Sequence, residues 1–189
     1  MSKKKEKTGL RTFLSWVIYI AAVIILSFLC VTFVGQRTKV IGESMYPTLY
    51  DGDQLIVDKI SYRFHAPKRF DVVVFPYRYE ENKRFIKRII GLPGEKIQIK
   101  DGEVYIDDQK LDDPYSEVVG PMNEAGLAEE PILLGDDEYF VLGDNRNNSK
   151  DSRFSDVGPL HKDELIGRAW VRIWPFSEFG FVAHGGGDD

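Results

Sequence analysis

Phe85-Ile86-Lys87-Arg88-Ile89-Ile90-Gly91 is the stretch on which the reading of this chain turns. Aromatic and β-branched residues dominate it and a glycine closes it, so residues 85–90 read as a strand. Side chains alternate in an extended chain, which places Phe85, Lys87 and Ile89 on one face. Lys87 then has apolar neighbours on its own face and Arg88 beside it in sequence. Desolvation and a nearby positive charge both disfavour the ammonium form. Lowering a lysine from about 10.4 to near 7 costs roughly 4–5 kcal/mol. A fold tolerates that where a neutral amine is useful, for example as a general base. Arg88 cannot take the part, because a guanidinium stays charged. The plainer alternative is a lysine that reaches water from a strand edge.

Outward from this stretch the pattern stays strand-like. Residues 54–60, 71–75, 96–99, 104–106, 139–142 and 166–174 are short runs rich in Val, Ile, Phe and Tyr between turn residues. Asp101-Gly102 suits a tight hairpin turn. No sustained helical period follows residue 35, so the fold class is mainly β. Residues 107–138 are acidic, hold Pro114, Pro121 and Pro131, and read as an irregular insertion or small subdomain. Gly185-Gly186-Gly187-Asp188-Asp189 reads as a frayed end.

Before residue 35 the character changes. Residues 12–36 carry no charged side chain and residues 13–34 are almost wholly apolar. At about 1.5 Å per residue those positions reach roughly 33 Å, matching a hydrocarbon core of ~30 Å. Trp16 and Tyr19 suit the interfacial belt. The basic cluster Lys3, Lys4, Lys5, Lys7 and Arg11 outweighs Arg37 and Lys39 beyond the run, which keeps the N-terminus cytoplasmic and everything after Gly35 outside. A cleaved secretory signal is the competing reading, but the run is long and no small-x-small site follows it. The expected organisation is a cytoplasmic segment 1–12, a single transmembrane helix 13–34, an extracytoplasmic domain 35–180 and a tail 181–189.

The first twelve residues carry +4, so with a net charge of -5 the rest of the chain carries about -9. An acidic domain is repelled by phosphate backbones, which argues against nucleic acid as a partner. One cysteine, Cys30, excludes an intrachain disulfide and a thiolate metal cluster. His65, His161 and His184 lack zinc-hydrolase spacing, and no metal or other cofactor is expected.

Two further segments offer chemistry. Gly42-Glu43-Ser44-Met45-Tyr46-Pro47-Thr48-Leu49 lies about ten residues past the apolar run. Gly42 permits unusual backbone angles and Pro47 restricts Tyr46, so Ser44 sits on a turn that can present its hydroxyl. A simple turn serine is the bland reading. Gly143-Asp144-Asn145-Arg146-Asn147-Asn148-Ser149-Lys150-Asp151-Ser152-Arg153 is either a solvated connection or a polar network that orients other groups. In it, Ser149 is placed to exchange a hydrogen bond with the Lys87 amine, and Asp151 with Arg153 are spaced to pair.

Taken together and in this order, the segments resemble the type I signal peptidases, membrane-anchored serine proteases with a Ser–Lys dyad. The resemblance rests on Ser44-Met45 with Pro47-Thr48-Leu49, on Gly52-Asp53 with Leu55, Val57 and Lys59, on residues 87–95, and on Gly143-Asp144-Asn145-Arg146 with Ser149, Asp151, Ser152 and Arg153. It covers about residues 10–176 and looks like the single-anchor Gram-positive bacterial type. It implies Ser44 as nucleophile and Lys87 as general base, with Ser149 holding the lysine and Asp151 and Arg153 steadying the loop. It implies shallow pockets for small side chains at Val40, Met45, Leu49 and Ile86. The implied fold is a β-rich catalytic core, about 38–95 and 139–180, with a small inserted β subdomain at about 96–138. The implied substrates are secretory preproteins, cut after small-x-small motifs through an acyl-enzyme at the outer face of the cell membrane, near the translocation machinery. Gly42 departs from members that carry a serine oxyanion donor two positions before the nucleophile. Trp170, Trp174, Phe176, Phe179 and Phe181 offer a surface for lipid headgroups, although core packing is the expected role of both tryptophans. A non-enzymatic anchored β module that retains the fold is the alternative. Self-cleaving repressor relatives lack the apolar run, and a Ser-His-Asp hydrolase finds no motif around His65 or His161.

Overall fold

The molecule, a computed structural model, is described over residues 2–29, 35–116 and 120–185. A helix α1 (Ser2–Leu29) comes first, and its side chains from residue 12 to 27 are exposed. Among the described residues no helix is long and apolar enough to cross a membrane. The expected span runs on through residues 30–34, which lie outside the described residues.

Beyond it the chain is antiparallel β. The strands are β1 (Gly35–Lys39), β2 (Gln54–Asp58), β3 (Val72–Pro76), β4 (Arg84–Gly91), β5 (Lys96–Lys100), β6 (Glu103–Ile106), β7 (Gln109–Lys110), β8 (Ile132–Leu133), β9 (Glu138–Leu142), β10 (Leu160–His161), β11 (Gly167–Trp174) and β12 (Gly180–Phe181). A large sheet has the order β1-β2-β11-β3-β4-β9-β10, with β12 alongside β11. A smaller sheet, β7-β6-β5-β8, draws all its strands from residues 96–133.

Both faces of the large sheet are covered, which is why β3 reads Val-Val-Val-Phe rather than alternating with polar residues. Val72 and Val74 join Leu55, Val57 and Ala169 on one side, while Val73 and Phe75 join Ile89, Val141 and Leu160 on the other. A third cluster joins the smaller sheet to the end of β4 and to β9 through Ile90, Ile97, Leu134 and Phe140. Each such fully buried side chain stabilises by about 1.5–3 kcal/mol, so β4, which feeds all three clusters, is the least dispensable strand.

The differences from the expected elements have local causes. The strand expected over 54–60 stops at Asp58, whose carboxylate accepts the backbone N–H groups of Ile60 and Ser61 at 2.8 and 3.1 Å. That side-chain-to-backbone turn leads the chain into a single helical turn, α2 (Ser61–Phe64). Strand β1 was not expected, because Gly-Gln-Arg-Thr-Lys has no apolar alternation. Among the described residues it is an edge strand paired only with β2, and in it only Thr38 is buried. Residues 181–184 are tied into the fold, unlike the tail expected from residue 181. Val182 is buried, the Ala183 carbonyl accepts from Arg88 Nη1 at 3.0 Å, and His184 Nδ1 accepts from the Val72 N–H at 3.1 Å. Trp170 and Trp174 are not core residues, being 47% and 46% exposed. Together with Phe176, Phe179 and Phe181 they form an exposed aromatic surface around β11 and β12.

Candidate active site

Ser44 sits at the head of a tight turn between β1 and β2. Gly42 takes φ +87°, a left-handed conformation that disfavours any side chain, and its N–H donates to Asp51 Oδ1 at 2.8 Å. Two side chains that follow the serine, Met45 and Leu49, sink into the core, each 1% exposed. They fix the turn, and the Leu49 N–H donates to the Met45 carbonyl at 2.9 Å. Ser44 is left half-buried at the surface.

Lys87 approaches from β4, opposite Val73 of β3. Its side chain is buried, and Nζ donates to Ser44 Oγ at 2.7 Å and to the Ile86 carbonyl at 2.9 Å. The face of the Phe85 ring lies 5.2 Å from Nζ. Burial lowers the lysine from its usual 10.5 to about 8, against the opposing pull of the Asp151 and Asp144 carboxylates. The expectation that Arg88 also repels the proton needs correcting. Strand alternation sends Arg88 to the opposite face, where it is neutralised: Nε and Nη2 donate to Asp144 Oδ1 and Oδ2 at 2.8 and 2.7 Å. Its guanidinium also lies 3.4 Å over the Tyr115 ring and donates to the Phe70 carbonyl at 2.8 Å.

The 143–153 loop is a buried polar network rather than a solvated connection. Asp151 accepts from Arg153 Nε at 2.8 Å and from the Gly143 N–H at 3.1 Å. Arg153 Nη2 reaches the Arg146 carbonyl at 2.6 Å, and Arg146 pairs with Asp113 at 2.6 Å. The network clasps the serine turn from the far side. Asn145 N–H donates to the Ser44 carbonyl at 3.1 Å, Asn145 Nδ2 to the Glu43 carbonyl at 3.1 Å, and Thr48 Oγ1 to Asp144 Oδ2 at 2.5 Å. Thr48, Arg88, Asp144 and Asn145 were therefore missed as positioning residues. The signal available was the run of carboxylates and amides in the loop, but nothing in it names the partners.

Ser149 is brought to the same place. Its buried hydroxyl has no hydrogen-bond partner among the described residues. A Cβ added to Gly143 would lie 2.1 Å from Ser149 Oγ and 2.5 Å from the Ser44 carbonyl. Only glycine lets the loop approach the serine turn so closely. Gly143→Ala is expected to push the turn away from Lys87 and to lower kcat/KM about a hundredfold, the usual cost of a displacement near 1 Å. Steady-state kinetics on the purified variant check it.

A cleft of about 390 Å³ opens beside the pair, walled by Arg37–Ile41 on one side and Asn82–Lys87 on the other. Val40, Met45 and Ile86 line it, as do Ser44 and Lys87. Leu49 does not reach the wall but packs behind it in the same core cluster. A half-exposed hydroxyl hydrogen-bonded to a dry amine, at the end of an extended cleft, has the geometry that a nucleophile and its base require.

Comparison with known proteins gives the family. The family described as "Signal peptidase, peptidase S26" matches residues 13–174. The "Probable signal peptidase I-2" of Synechocystis sp. is 41% identical over 96% of this chain and 82% of its own length. The "Signal peptidase I" of Leptolyngbya laminosa is 43% identical over 79% of this chain and 73% of its own. The "Signal peptidase IB" of Staphylococcus aureus is 34% identical over 88% of this chain and 92% of its own. The chain belongs to the signal peptidase family, peptidase S26, and is a serine peptidase.

Proposed function

We propose that this signal peptidase removes the signal peptides of secretory preproteins with Ser44 as nucleophile and Lys87 as its base, at the outer face of a membrane. The observation that carries the reading is the 2.7 Å contact between a buried amine and a surface hydroxyl at the mouth of the cleft. The neutral amine takes the Ser44 proton as Oγ bonds to the scissile carbonyl carbon. The resulting ammonium then protonates the leaving amine, and the C–N bond breaks to leave an acyl-serine. Water, deprotonated by the same amine, attacks that ester and regenerates Ser44. The Ser44 N–H is one donor for the oxyanion, since Gly42 has no side chain to offer. Ser149 Oγ, next to the turn and without a partner among the described residues, steadies the lysine when it carries the proton, while Asp151 and Arg153 hold the loop.

Substrate binds as an added strand. Residues 84–87 of β4 pair with β3 on one side only, and β1 is a sheet edge, so the cleft offers backbone on both walls. The wall of Val40, Met45 and Ile86, backed by Leu49, leaves room for a small side chain beside Ser44. Residues 13–34 anchor the enzyme, with residues 1–12 in the cytoplasm. Ser44 follows within about ten residues, a reach of at most about 35 Å, which keeps it at the height where a preprotein leaves the translocation machinery. Tethering raises the effective concentration of both partners. The exposed aromatic side chains around β11 and β12 suit contact with headgroups.

Incubating purified enzyme with a model preprotein and mapping the product by mass spectrometry tests the reading; a cut anywhere but after a small-x-small motif overturns it. The acid limb of kcat/KM reports the base. The amine acts only when deprotonated, so activity should climb about tenfold per pH unit below about 8 and level off above it. A profile flat from pH 5 to 9 removes Lys87 as the titrating group.

A further inference from the structure

Thr38 carries a hydroxyl that the reaction just described does not use. It is the buried residue of β1, only 9% exposed, and it forms part of the cleft wall. Its Oγ1 is shielded from solvent and has no hydrogen-bond partner among the described residues. Burying a hydroxyl unpaired costs stability, and valine would fill the same space without that cost. A buried hydroxyl without a partner calls for an explanation, and in the wall of a binding cleft a partner arriving with the ligand supplies one.

Strand geometry says which part of the ligand meets it. Arg37–Ile41 and Asn82–Lys87 both run toward the Ser44–Lys87 pair. A peptide whose residues before the cut fill the cleft, with its scissile bond at Ser44, then runs parallel to both walls. The side chain just before the cut faces Val40, Met45 and Ile86. Residues i and i+2 of an extended chain share a face at about 6.6–6.8 Å spacing. Thr38 is two residues before Val40, so it meets the side chain two residues further upstream, the third before the cut.

Resting on the proposed cleavage reaction, we infer that Thr38 makes this subsite select a hydroxyl-bearing residue, serine or threonine, at the third position before the cut. One staggered step about χ1 redirects the threonine oxygen, and having no bond in the wall it gives none up. The hydroxyl can both donate to and accept from a substrate hydroxyl. An apolar side chain of equal size leaves it unpaired. The middle residue of the motif points away and is indifferent to Thr38.

Two peptides that differ only in threonine or valine at the third position before the cut test this, since the two side chains have nearly the same shape. The wild-type enzyme should show kcat/KM about three- to tenfold higher for the threonine peptide, the range of one neutral hydrogen bond. Thr38→Val should bring the ratio to about one and raise Tm, and Thr38→Ser should keep the preference. Equal cleavage of both peptides by the wild type overturns the inference, as does a preference that survives in Thr38→Val. An equal loss on both peptides in Thr38→Val would mean that the hydroxyl serves the substrate backbone, and it also overturns it. If the wild type cuts neither peptide, nor a model preprotein, the fault lies instead with the proposed reaction.

Discussion

Lys87→Met and Ser44→Ala should each lower kcat/KM for a preprotein by at least about 10⁴-fold while leaving the fold intact. In the proposed reaction nucleophile and base act as a unit, so losing either removes nearly all of the covalent route. Lys87→Arg should be as inactive, because it keeps a charge on the pair and offers no lone pair. A serine-reactive probe should label the wild type and none of these variants; wild-type turnover by Lys87→Met would end the assignment of the base. Stability distinguishes a catalytic lysine from a structural one. The folded lysine titrates near 8 and the unfolded one near 10.5, so the folded state binds fewer protons between these values. Stability is therefore undiminished above the unfolded value, falls as pH drops from 10.5 toward 8, and is fully reduced below that. The reduction is about 3 kcal/mol, offset in the variant by about 2 kcal/mol for the lost bonds to the Ser44 hydroxyl and the Ile86 carbonyl. Lys87→Met should thus unfold at a higher temperature than the wild type at pH 7, with the gap closing toward pH 10. A variant less stable than the wild type at pH 7 would show that the lysine holds the fold together.

Asp144→Ala should destabilise the protein by about 3–5 kcal/mol, a large part of a typical domain's total. The carboxylate is fully buried, and it takes two bonds from Arg88 and one from Thr48. Removing it leaves a guanidinium buried without a counter-charge at the centre of β4. Arg88→Met should cost a similar amount for the mirror reason. Arg88→Met with Asp144→Leu should recover most of the loss, since an apolar pair of similar volume needs no desolvation of charge. Denaturant unfolding of the three variants completes the cycle. Additive losses would mean that the two groups do not act as a pair. The recovered double variant should still lose activity, because Asn145 next door holds the Ser44 carbonyl.

Much of the β architecture was legible because it is written in short-range pattern. The apolar runs of β3, β4, β9 and β11 announce strands within a residue or two of their limits, and Asp101-Gly102 announces the hairpin between β5 and β6. β1 was invisible because an edge strand needs only one buried side chain. Thr38, the one it buries, reads as polar. The tryptophans of β11 misled for the converse reason: an aromatic side chain looks like core wherever it stands, and exposure is a property of its neighbours.

The site divides along the same line. The residue types that can attack or carry a proton are fixed by the sequence, since few side chains besides Ser44 and Lys87 stand in segments able to present a hydroxyl or to dry an amine. What those side chains touch is decided by contacts across 43 residues for the pair itself and 56 for Arg88 with Asp144. Adjacency in the chain suggested that Arg88 presses on the lysine; alternation across the sheet puts it on the other face against a carboxylate. The chemistry of each group belongs to the amino acid, while its protonation, burial and partners belong to the packed molecule, because water and counter-charge are excluded or supplied only when distant strands close around it.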